Sequence, residues 1–295
     1  FNIVIPSIKY SKELNFTLKK LEDQSYKNFF VTIVLDKKNK KIPKYKFKLN
    51  VLVVGKKHMS FKRNLAVKKY RSEYVGFLDS DAYPPKKWLK NALNLLKRDN
   101  IDVVGGPSIP FPKQNLSEMI SHYAKRSFFV TGNLNFRKYL AKDRFCDWLE
   151  SCNFFILRKK YIKFGGMDES KFISEDFNFF SKLNKKNPKF KTFYSKQLFV
   201  YHKERNFLKF LVQRFSYGTA AFSLINFKNS SSKYQSLYPL FALIFFLTLF
   251  IFGLKNNNLL FLLIATITLI ETIIIYAIKK YINNLATLFI VFILI

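Results

Sequence analysis

The sequence predicts an α/β protein built on a mostly parallel β-sheet flanked by helices, followed by C-terminal transmembrane helices. Three observations support this prediction. Short apolar runs alternate with segments of helical periodicity through the first part of the chain. Acidic residues stand directly after two of these apolar runs. Beyond residue 235 the alternation gives way to long apolar runs with few charges.

The alternation can be followed element by element. Ser11 and Ser60 are residue types that cap helices, and each precedes a segment of helical periodicity, the second running to Tyr70. Pro85 suits the first turn of a third helix, which contains Trp88. The apolar runs between these helices predict strands at 2–5, 29–35, 51–54, 74–78 and 101–104.

Carboxylates follow two of the predicted strands. Asp36 comes after the second strand, and Asp79-Ser80-Asp81 comes after the fourth. In such sheets, ligands bind beyond the carboxyl ends of the strands. Two carboxylates two residues apart can share one hard cation such as Mg²⁺ or Mn²⁺, and that cation can neutralise a diphosphate leaving group. A solvated turn is the alternative interpretation of the same acids.

Several classes of site are disfavoured because their motifs are missing. The chain has no GxGxxG or Walker motif, which counts against a dehydrogenase or an ordinary NTPase. Cys146 and Cys152 form neither a CxxC pair nor a Cys/His cluster in the sequence. We therefore expect two buried free thiols, with no zinc framework and no disulfide.

The formal net charge of +32 is extreme, and nearly all of it lies in residues 1–235. Such a charge suits an anionic partner: nucleic acid, a membrane surface or phosphorylated substrates. The excess is mostly lysine in a chain that is also rich in Asn, Ile and Phe, which an AT-rich coding sequence produces without selection for binding. Both interpretations stay open at this point.

The C-terminal region, 236–295, is predicted to cross a membrane. The runs 237–254 and 259–278 are each long enough for a transmembrane helix, and 285–295 resembles a third, truncated crossing. The distribution of basic residues places the domain 1–235 in the cytoplasm, so we expect a multi-pass protein of the cytoplasmic membrane. A buried helical hairpin is the alternative. The segment 206–227 is predicted to be an interfacial helix or an ordinary packed one.

Several short motifs occur in order through residues 2–218. They are VIPS (4–7), LEDQSYKNF (21–29), KRNLAV (62–67), YVGFLDSDAYPPKKWL (74–89), GGMDE (165–169), SED (174–176), VYH (200–202) and QRFSYG (213–218). In this order and spacing they resemble the family 2 glycosyltransferases, which are inverting enzymes with the Rossmann-like GT-A fold. The resemblance implies transfer of a sugar from a nucleotide-diphosphate donor, most often UDP-linked.

The resemblance also implies individual roles. Asp176 is the expected catalytic base, and the expected cofactor is Mn²⁺ or Mg²⁺. Donor binding is expected from Pro6, Ser7, Asp36, Arg63, Asp79 and Asp81. Metal binding is expected from Asp79, Asp81 and His202. The acceptor side is expected to include Glu175, Gln213, Arg214 and Tyr217.

One motif departs from the family pattern. In processive polysaccharide synthases the segment reads Gln-Arg-x-Arg-Trp, whereas Ser216 and Tyr217 stand at the last two positions here. This puts processive synthesis in doubt. The expected acceptor is a lipid-linked saccharide, a polyprenyl phosphate or another saccharide, in surface polysaccharide or glycolipid assembly.

Two other functions are alternatives to a glycosyltransferase. A nucleic-acid-binding protein would suit the charge and the aromatic content, but the chain has no RNP-like, KH-like or zinc motif. A non-catalytic membrane adaptor with a transferase-like fold is disfavoured because Asp79, Asp81 and Asp176 are all intact.

Overall fold

The computed structural model describes residues 1–38, 41–127, 131–170 and 175–224, together with Ile267. The chain divides into two compact units. The first consists of Phe1–Gln114 and Leu134–Glu204, and the second of Asn115–Asn133 and the chain from Arg205 onward. The domain boundary predicted at residue 235 lies outside the described residues.

Strands and helices alternate along the chain, as the sequence predicts. The strands are β1 (Asn2–Ser7), β2 (Phe30–Leu35), β3 (Lys48–Val53), β4 (Tyr74–Leu78), β5 (Ala82–Tyr83), β6 (Val103–Gly105), β7 (Ser108–Pro110), β8 (Arg144–Phe145), β9 (Asn153–Leu157), β10 (Thr192–Tyr194) and β11 (Val200–His202). The α-helices are α1 (Lys12–Glu22), α2 (Met59–Lys69), α3 (Trp88–Leu96), α4 (Leu116–Arg126), α5 (Arg158–Lys163), α6 (Glu175–Lys186) and α7 (Phe207–Leu224). Short 3-10 helices span Gly132–Lys138 and Lys196–Leu198.

The main sheet of the first unit has eight described strands in the order β3-β2-β1-β4-β9-β6-β10-β8. β1 to β4 are mutually parallel, and β6 and β10 are parallel to each other. β9 runs antiparallel to its neighbours β4 and β6, and β8 runs antiparallel to β10. A smaller sheet, β5-β11-β7, completes this unit. The prediction of a mostly parallel sheet with helices is confirmed.

The core follows from strands that are apolar on both faces. In β1, Ile3 and Ile5 lie in the same cluster as Leu14 of α1, while Val4 lies in a second cluster with Ala66 of α2. Successive side chains of a strand point to opposite faces, so one short strand contributes to both clusters. Continuous apolar runs of this kind are typical of parallel strands covered by helices on both sides.

Two of the helix starts differ in how well the sequence predicts them. Ser11 caps α1 as expected, because its hydroxyl accepts a hydrogen bond from the Leu14 backbone N–H at 3.2 Å. Ser60 is not the cap of α2. That helix begins at Met59, and the imidazole of His58 accepts from the Ser60 N–H at 3.4 Å. A histidine ring nitrogen thus takes the role predicted for the serine hydroxyl.

The start of α3 is displaced from Pro85 to Trp88. The side chain of Gln24, two residues beyond α1, bonds to the backbone around this helix start. Gln24 donates to the Pro85 carbonyl at 2.8 Å and accepts from the Leu89 N–H at 3.1 Å. This distant side chain satisfies backbone groups at the helix start, which the local sequence cannot predict.

The predicted membrane location needs correction. Crossing a bilayer takes about 20 mostly apolar residues in one helix, and no helix among the described residues is long and apolar enough. The helix that covers most of the segment 206–227 is α7, which carries Lys209 and Arg214. The predicted crossings 237–254, 259–278 and 285–295 lie outside the described residues, except for Ile267.

The glycine pair after α5 forms a tight turn against α2. Gly165 and Gly166 have φ values of 83° and 68°. The Asn64 side chain holds this turn, because it accepts from the Met167 N–H at 3.0 Å and donates to the Met167 carbonyl at 2.8 Å. The Tyr161 hydroxyl donates to the same Asn64 oxygen at 2.7 Å.

Replacing Gly166 by alanine should therefore destabilise the fold more than replacing Gly55, whose φ of 74° is similar. The left-handed conformation costs a non-glycine residue about 1–2 kcal/mol at either position. A Cβ at Gly166 would also lie 2.4 Å from the Asn64 Oδ1, whereas nothing lies within 4 Å at Gly55. Urea unfolding of both variants measures the difference, and equal losses would contradict this account.

Candidate active site

Three polar positions meet at one edge of the main sheet. β1 pairs in parallel with β2 on one side and with β4 on the other. The carboxyl ends of these strands therefore share one edge, where Ser7 ends β1, Asp36 follows β2 and Asp79 follows β4. This is the edge at which ligands bind in parallel α/β sheets.

The first two strand ends are joined by a lysine that the sequence analysis did not single out. Lys62 is fully buried. Its ammonium donates to the Ser7 carbonyl at 2.7 Å and pairs with Asp36 Oδ1 at 2.7 Å. Pro6 lies buried in β1 beside them. The structure thus brings Pro6, Ser7 and Asp36 to the same sheet edge, and their donor-binding role stays a prediction.

Arg63, the next residue of α2, links two carboxylates from distant parts of the chain. Its guanidinium donates to Asp79 at 3.0 Å and to Glu175 at 2.9 Å. The side chain is only 3% exposed. Burial acts to lower the pKa of Arg63, but Asp79 and Glu175 outweigh it and raise the pKa above its ordinary value. The arginine is therefore a permanent cation held between two acids.

The Asp79-Ser80-Asp81 turn is held from two sides. Thr17 of α1 donates to the Ser80 carbonyl at 3.1 Å, and the Lys203 N–H donates to the Asp81 carbonyl at 3.1 Å. The second bond extends the antiparallel pairing of β5 with β11, in which His202 lies opposite Ala82. The small sheet thus carries His202 to the carboxylates.

His202 Nε2 lies 3.6 Å from Asp79 Oδ2 and 3.6 Å from Asp81 Oδ1. These separations are too long for direct hydrogen bonds. They are close to the roughly 3–3.5 Å expected between neighbouring ligands that are each about 2.1 Å from one ion. His202 Nδ1 lies 2.9 Å from the Lys203 carbonyl. Because a carbonyl only accepts, Nδ1 is the donor, an arrangement that is usual for metal-ligating histidines.

His202 lies at ligand spacing from each carboxylate, and these residue types fit a divalent cation. The three described side chains whose ligand atoms all lie within 4.8 Å of one another include Asp79 and His202 but not Asp81. Two carboxylate oxygens and one imidazole nitrogen suit Mn²⁺ or Mg²⁺. The charges of neighbouring residues shift the pKa values of Asp79 and His202 even without an ion. Burial acts to raise the pKa of Asp79, but His202 and Arg63 outweigh it and lower that pKa. Burial acts to lower the pKa of His202, yet Asp79 and Asp81 raise it to about 9.

A second pair of acids lies at the start of α6. Glu175 accepts from Arg63, and Asp176 accepts from the Ser151 N–H at 3.1 Å and from the Phe177 N–H at 2.8 Å. Burial, and then the charge of Glu175, raises the pKa of Asp176 to about 6, although these hydrogen bonds oppose the rise. Asp176 is thus poised to exchange a proton near neutral pH, as a general base must.

Four further polar residues at this site were not predicted as site residues. β9 runs antiparallel to β4, so its amino end reaches the edge where β4 ends. Glu150 and Cys152 precede β9, and Lys138 donates to Glu150 at 2.7 Å and to Ser108 at 2.9 Å. Burial acts to raise the pKa of Glu150, but Lys138 outweighs it and lowers that pKa. The apolar run 153–157 was the available signal. Recognising it as a strand antiparallel to β4 would have placed Glu150 and Cys152 at this edge.

Cys152 is one of two described free cysteines. It is buried, whereas Cys146 is half-buried, so the expectation of two buried thiols holds only for Cys152. Burial, and then the charges of Glu150 and Asp79, raises the pKa of the Cys152 thiol well above its ordinary value. In the absence of a cation Cys152 is therefore a neutral thiol.

The remaining residues expected on the acceptor side belong to the second unit. Gln213, Arg214 and Tyr217 all lie on α7. Within that unit, α7 is anchored to α4 by a hydrogen bond from the Phe207 N–H to Ser117 Oγ at 2.7 Å. The acceptor-side role of these three residues stays a prediction.

Comparisons with known proteins give one sequence relative and several structural neighbours. The chain is 30% identical over 115 residues to a chondroitin synthase of Pasteurella multocida (strain Pm70), an alignment that covers 36% of this chain and 12% of that relative. Among solved structures, TarS of S. aureus has a TM-score of 0.49 at 17% identity, covering 80% of this chain and 41% of TarS. The mannosyltransferase PcManGT from Pyrobaculum calidifontis, solved with GDP-Man and Mn²⁺, has a TM-score of 0.49 at 14% identity, covering 74% and 64%.

The family comparison covers the half of the chain that carries β1 to β9. The model described as "Glycosyl transferase family 2" matches residues 2–164. This match includes Asp36, Arg63, Asp79 and Asp81, and ends before Asp176 and His202. Because it spans more than half of the 295 residues, the chain belongs to glycosyl transferase family 2.

Proposed function

We propose that this chain is an inverting glycosyltransferase that moves a sugar from a nucleotide-diphosphate donor to a saccharide hydroxyl, with a divalent cation at Asp79, Asp81 and His202. The observation that carries the proposal is the convergence of these three side chains at the edge where β4 ends, with His202 3.6 Å from each carboxylate. Family membership supports the reaction class.

The proposed cation site depends on the chain's own charges. When bound, a divalent cation would supply positive charge against the departing diphosphate. Arg63 holds Asp79 by Oδ1, which leaves Oδ2 directed toward His202. Asp81 is 40% exposed, so it is the carboxylate most accessible to a donor from solvent.

The proposed base is Asp176. In an inverting transfer the acceptor hydroxyl attacks the anomeric carbon from the face opposite the leaving group, so a base is needed on the acceptor side. The two hydrogen bonds from Ser151 and Phe177 fix the orientation of the Asp176 carboxylate. Glu175 is committed to Arg63 at 2.9 Å, which supports Asp176 over Glu175 as the proton acceptor.

Donor and acceptor are proposed more coarsely. The sheet edge that carries Pro6, Ser7 and Asp36 is the proposed nucleoside site, with UDP as the nucleotide. The name of the Pasteurella relative, a chondroitin synthase, supports a saccharide acceptor. A lipid-linked saccharide and a free one present the same hydroxyl chemistry, and the acceptor test distinguishes them.

The deciding experiment is a donor screen. The purified chain is incubated with Mn²⁺ or Mg²⁺, a panel of nucleotide sugars, and either free or lipid-linked oligosaccharides, and release of the nucleoside diphosphate is measured. We expect metal-dependent release from UDP-sugars. No release from any donor with any acceptor would contradict the proposal.

Metal binding is tested by Asp81→Asn, with Asp99→Asn as the matched control on an exposed loop. Even outer-shell changes cost about 10–100-fold in metal affinity, so loss of a direct carboxylate ligand should weaken Mn²⁺ binding at least that much. Titration calorimetry in the presence of UDP measures it. The control should bind Mn²⁺ like the unaltered chain, and full turnover in excess EDTA would rule the metal site out.

The base is tested by Asp176→Asn, which keeps the shape of the side chain but removes the proton acceptor. We expect kcat to fall by about 10²–10⁴-fold while nucleotide and metal affinity stay near their original values. A variant that keeps kcat and loses donor affinity would mean that Asp176 binds the donor instead.

The pH profile gives a second check on Asp176. Its pKa is raised to about 6, so the carboxyl is protonated and inactive as a base below that pH. We expect kcat to rise with pH through about 6 in the unaltered chain, and this inflection to vanish in Asp176→Asn. If Glu175→Gln removes the inflection while Asp176→Asn retains it, Glu175 is the base.

A further inference from the structure

A cysteine lies among the side chains proposed to hold the cation. The antiparallel pairing of β4 with β9 ends with Leu78 opposite Asn153. One step further along each strand are Asp79 and Cys152, at the same edge of the sheet. The Cys152 Sγ, an Asp79 carboxylate oxygen and a His202 ring nitrogen all lie within 4.8 Å of one another. No sequence motif links these residues, which are 73 and 50 positions apart.

Two sets of ligands therefore share Asp79 and His202. In the first set Asp81 completes the site with an oxygen from a carboxylate that is 40% exposed. In the second set Cys152, a residue that is 7% exposed, completes it with a sulfur. Hard cations such as Mg²⁺ and Mn²⁺ prefer the oxygen, whereas thiolate favours softer ions such as Zn²⁺.

The second set fits zinc in kind and in size. Cysteine, histidine and aspartate are the residue types that bind Zn²⁺, at about 2.3 Å for sulfur and about 2.0–2.2 Å for nitrogen and oxygen. Tetrahedral ligands at these lengths are about 3.5 Å apart, so atoms within 4.8 Å need to move by about 1 Å. Three protein ligands leave a fourth position for water, as in open zinc sites.

We propose that Asp79, Cys152 and His202 form a zinc site that overlaps the proposed Mn²⁺ or Mg²⁺ site, so that Zn²⁺ displaces the hard cation and inhibits the transferase. On binding, the S–H bond of Cys152 and the Nε2–H bond of the His202 imidazolium break, sulfur–zinc and nitrogen–zinc bonds form, and both protons pass to solvent. Glu150, whose Oε2 accepts from Sγ at 3.9 Å, can relay the thiol proton. Competition follows because His202 Nε2 can ligate only one ion at a time, its other ring nitrogen being bonded to the Lys203 carbonyl.

Binding of a soft ion stands on geometry alone, whereas inhibition rests on the proposed function. The test therefore has an optical arm that needs no turnover. Co²⁺ occupies zinc sites, and a thiolate ligand gives it a near-ultraviolet sulfur-to-cobalt charge-transfer band. The metal-free chain is titrated with CoCl₂, alongside Cys152→Ser and the matched control Cys146→Ser. Cys146 is the suitable control because its sulfur contacts the Trp148 carbonyl at 3.6 Å and belongs to neither set.

We expect the band to appear with about one cobalt per chain, to persist in Cys146→Ser, and to disappear in Cys152→Ser. Zn²⁺ added to the cobalt-loaded chain should bleach the band. Absence of the band in the unaltered chain overturns the zinc site without any variant, so a misfolded Cys152→Ser protein cannot hide the answer. Persistence of the band in a folded Cys152→Ser, checked by circular dichroism, overturns it equally.

The second arm measures displacement of Mn²⁺ by Zn²⁺. The electron spin resonance signal of free Mn²⁺ reports how much Mn²⁺ is released. In Cys152→Ser the Zn²⁺ concentration needed should rise at least about tenfold, since a direct ligand is lost. An unchanged concentration overturns the overlap. A cobalt band in a chain without transferase activity would refute the proposed function and leave the zinc site standing. Mn²⁺-dependent transfer without a cobalt band would refute the zinc site and leave the proposed function standing.

Discussion

The buried guanidinium of Arg63 is the contact on which the arrangement of the site depends. It joins Asp79, at the end of β4, to Glu175, the first residue of α6, across 96 positions of chain. Burying an arginine is costly unless its charge is matched, and removing one partner of such a buried pair typically costs about 3–5 kcal/mol. The strand edge that carries the proposed cation ligands and the helix that carries Asp176 are therefore held together by one side chain.

The pairing of Arg63 with Asp79 helps to give Asp79 and Asp176 different pKa values. Asp79 lies against Arg63 and His202, which lower its pKa despite burial, so it stays ionised. Among the described residues no lysine or arginine forms a salt bridge with Asp176, and burial together with Glu175 raises its pKa to about 6. Environments that push neighbouring acids apart in this way typically mark different roles in a reaction. Arg63 thus supports both proposed roles by pairing with Asp79 and Glu175, while Asp176 accepts from backbone N–H groups.

The alternation of apolar runs with helical segments was enough to predict the parallel part of the sheet and the carboxylates at its edge. Apolar runs followed by Asp36 and Asp79 carry that information locally. The reversed strand β9 was missed because its pairing with β4 joins positions about 80 residues apart, and an apolar run has no intrinsic direction. Glu150 and Cys152 were therefore missed as well. The sequence likewise showed no reason for His58 instead of Ser60 to cap α2, since serine is a preferred capping residue and histidine is not.

The charge of the chain and the charge of the site have opposite signs. The whole sequence carries +32, yet the edge of the sheet concentrates acids. The described carboxylates there include Asp79, Asp81, Glu150, Glu175 and Asp176, against the cations Arg63, Lys138 and His202, whose pKa is about 9. Arg63 and Lys138 pair with acids at 2.7–3.0 Å, and His202 lies 3.6 Å from Asp79 and from Asp81. Asp36, at the same edge, pairs with Lys62. A diphosphate that approaches this edge would meet more acids than cations, and the proposed divalent cation would supply positive charge beyond that of the already paired Arg63 and Lys138. The basic residues of the chain can attract an anionic donor from a distance, and an ion held beside His202 would then offset the repulsion at close range.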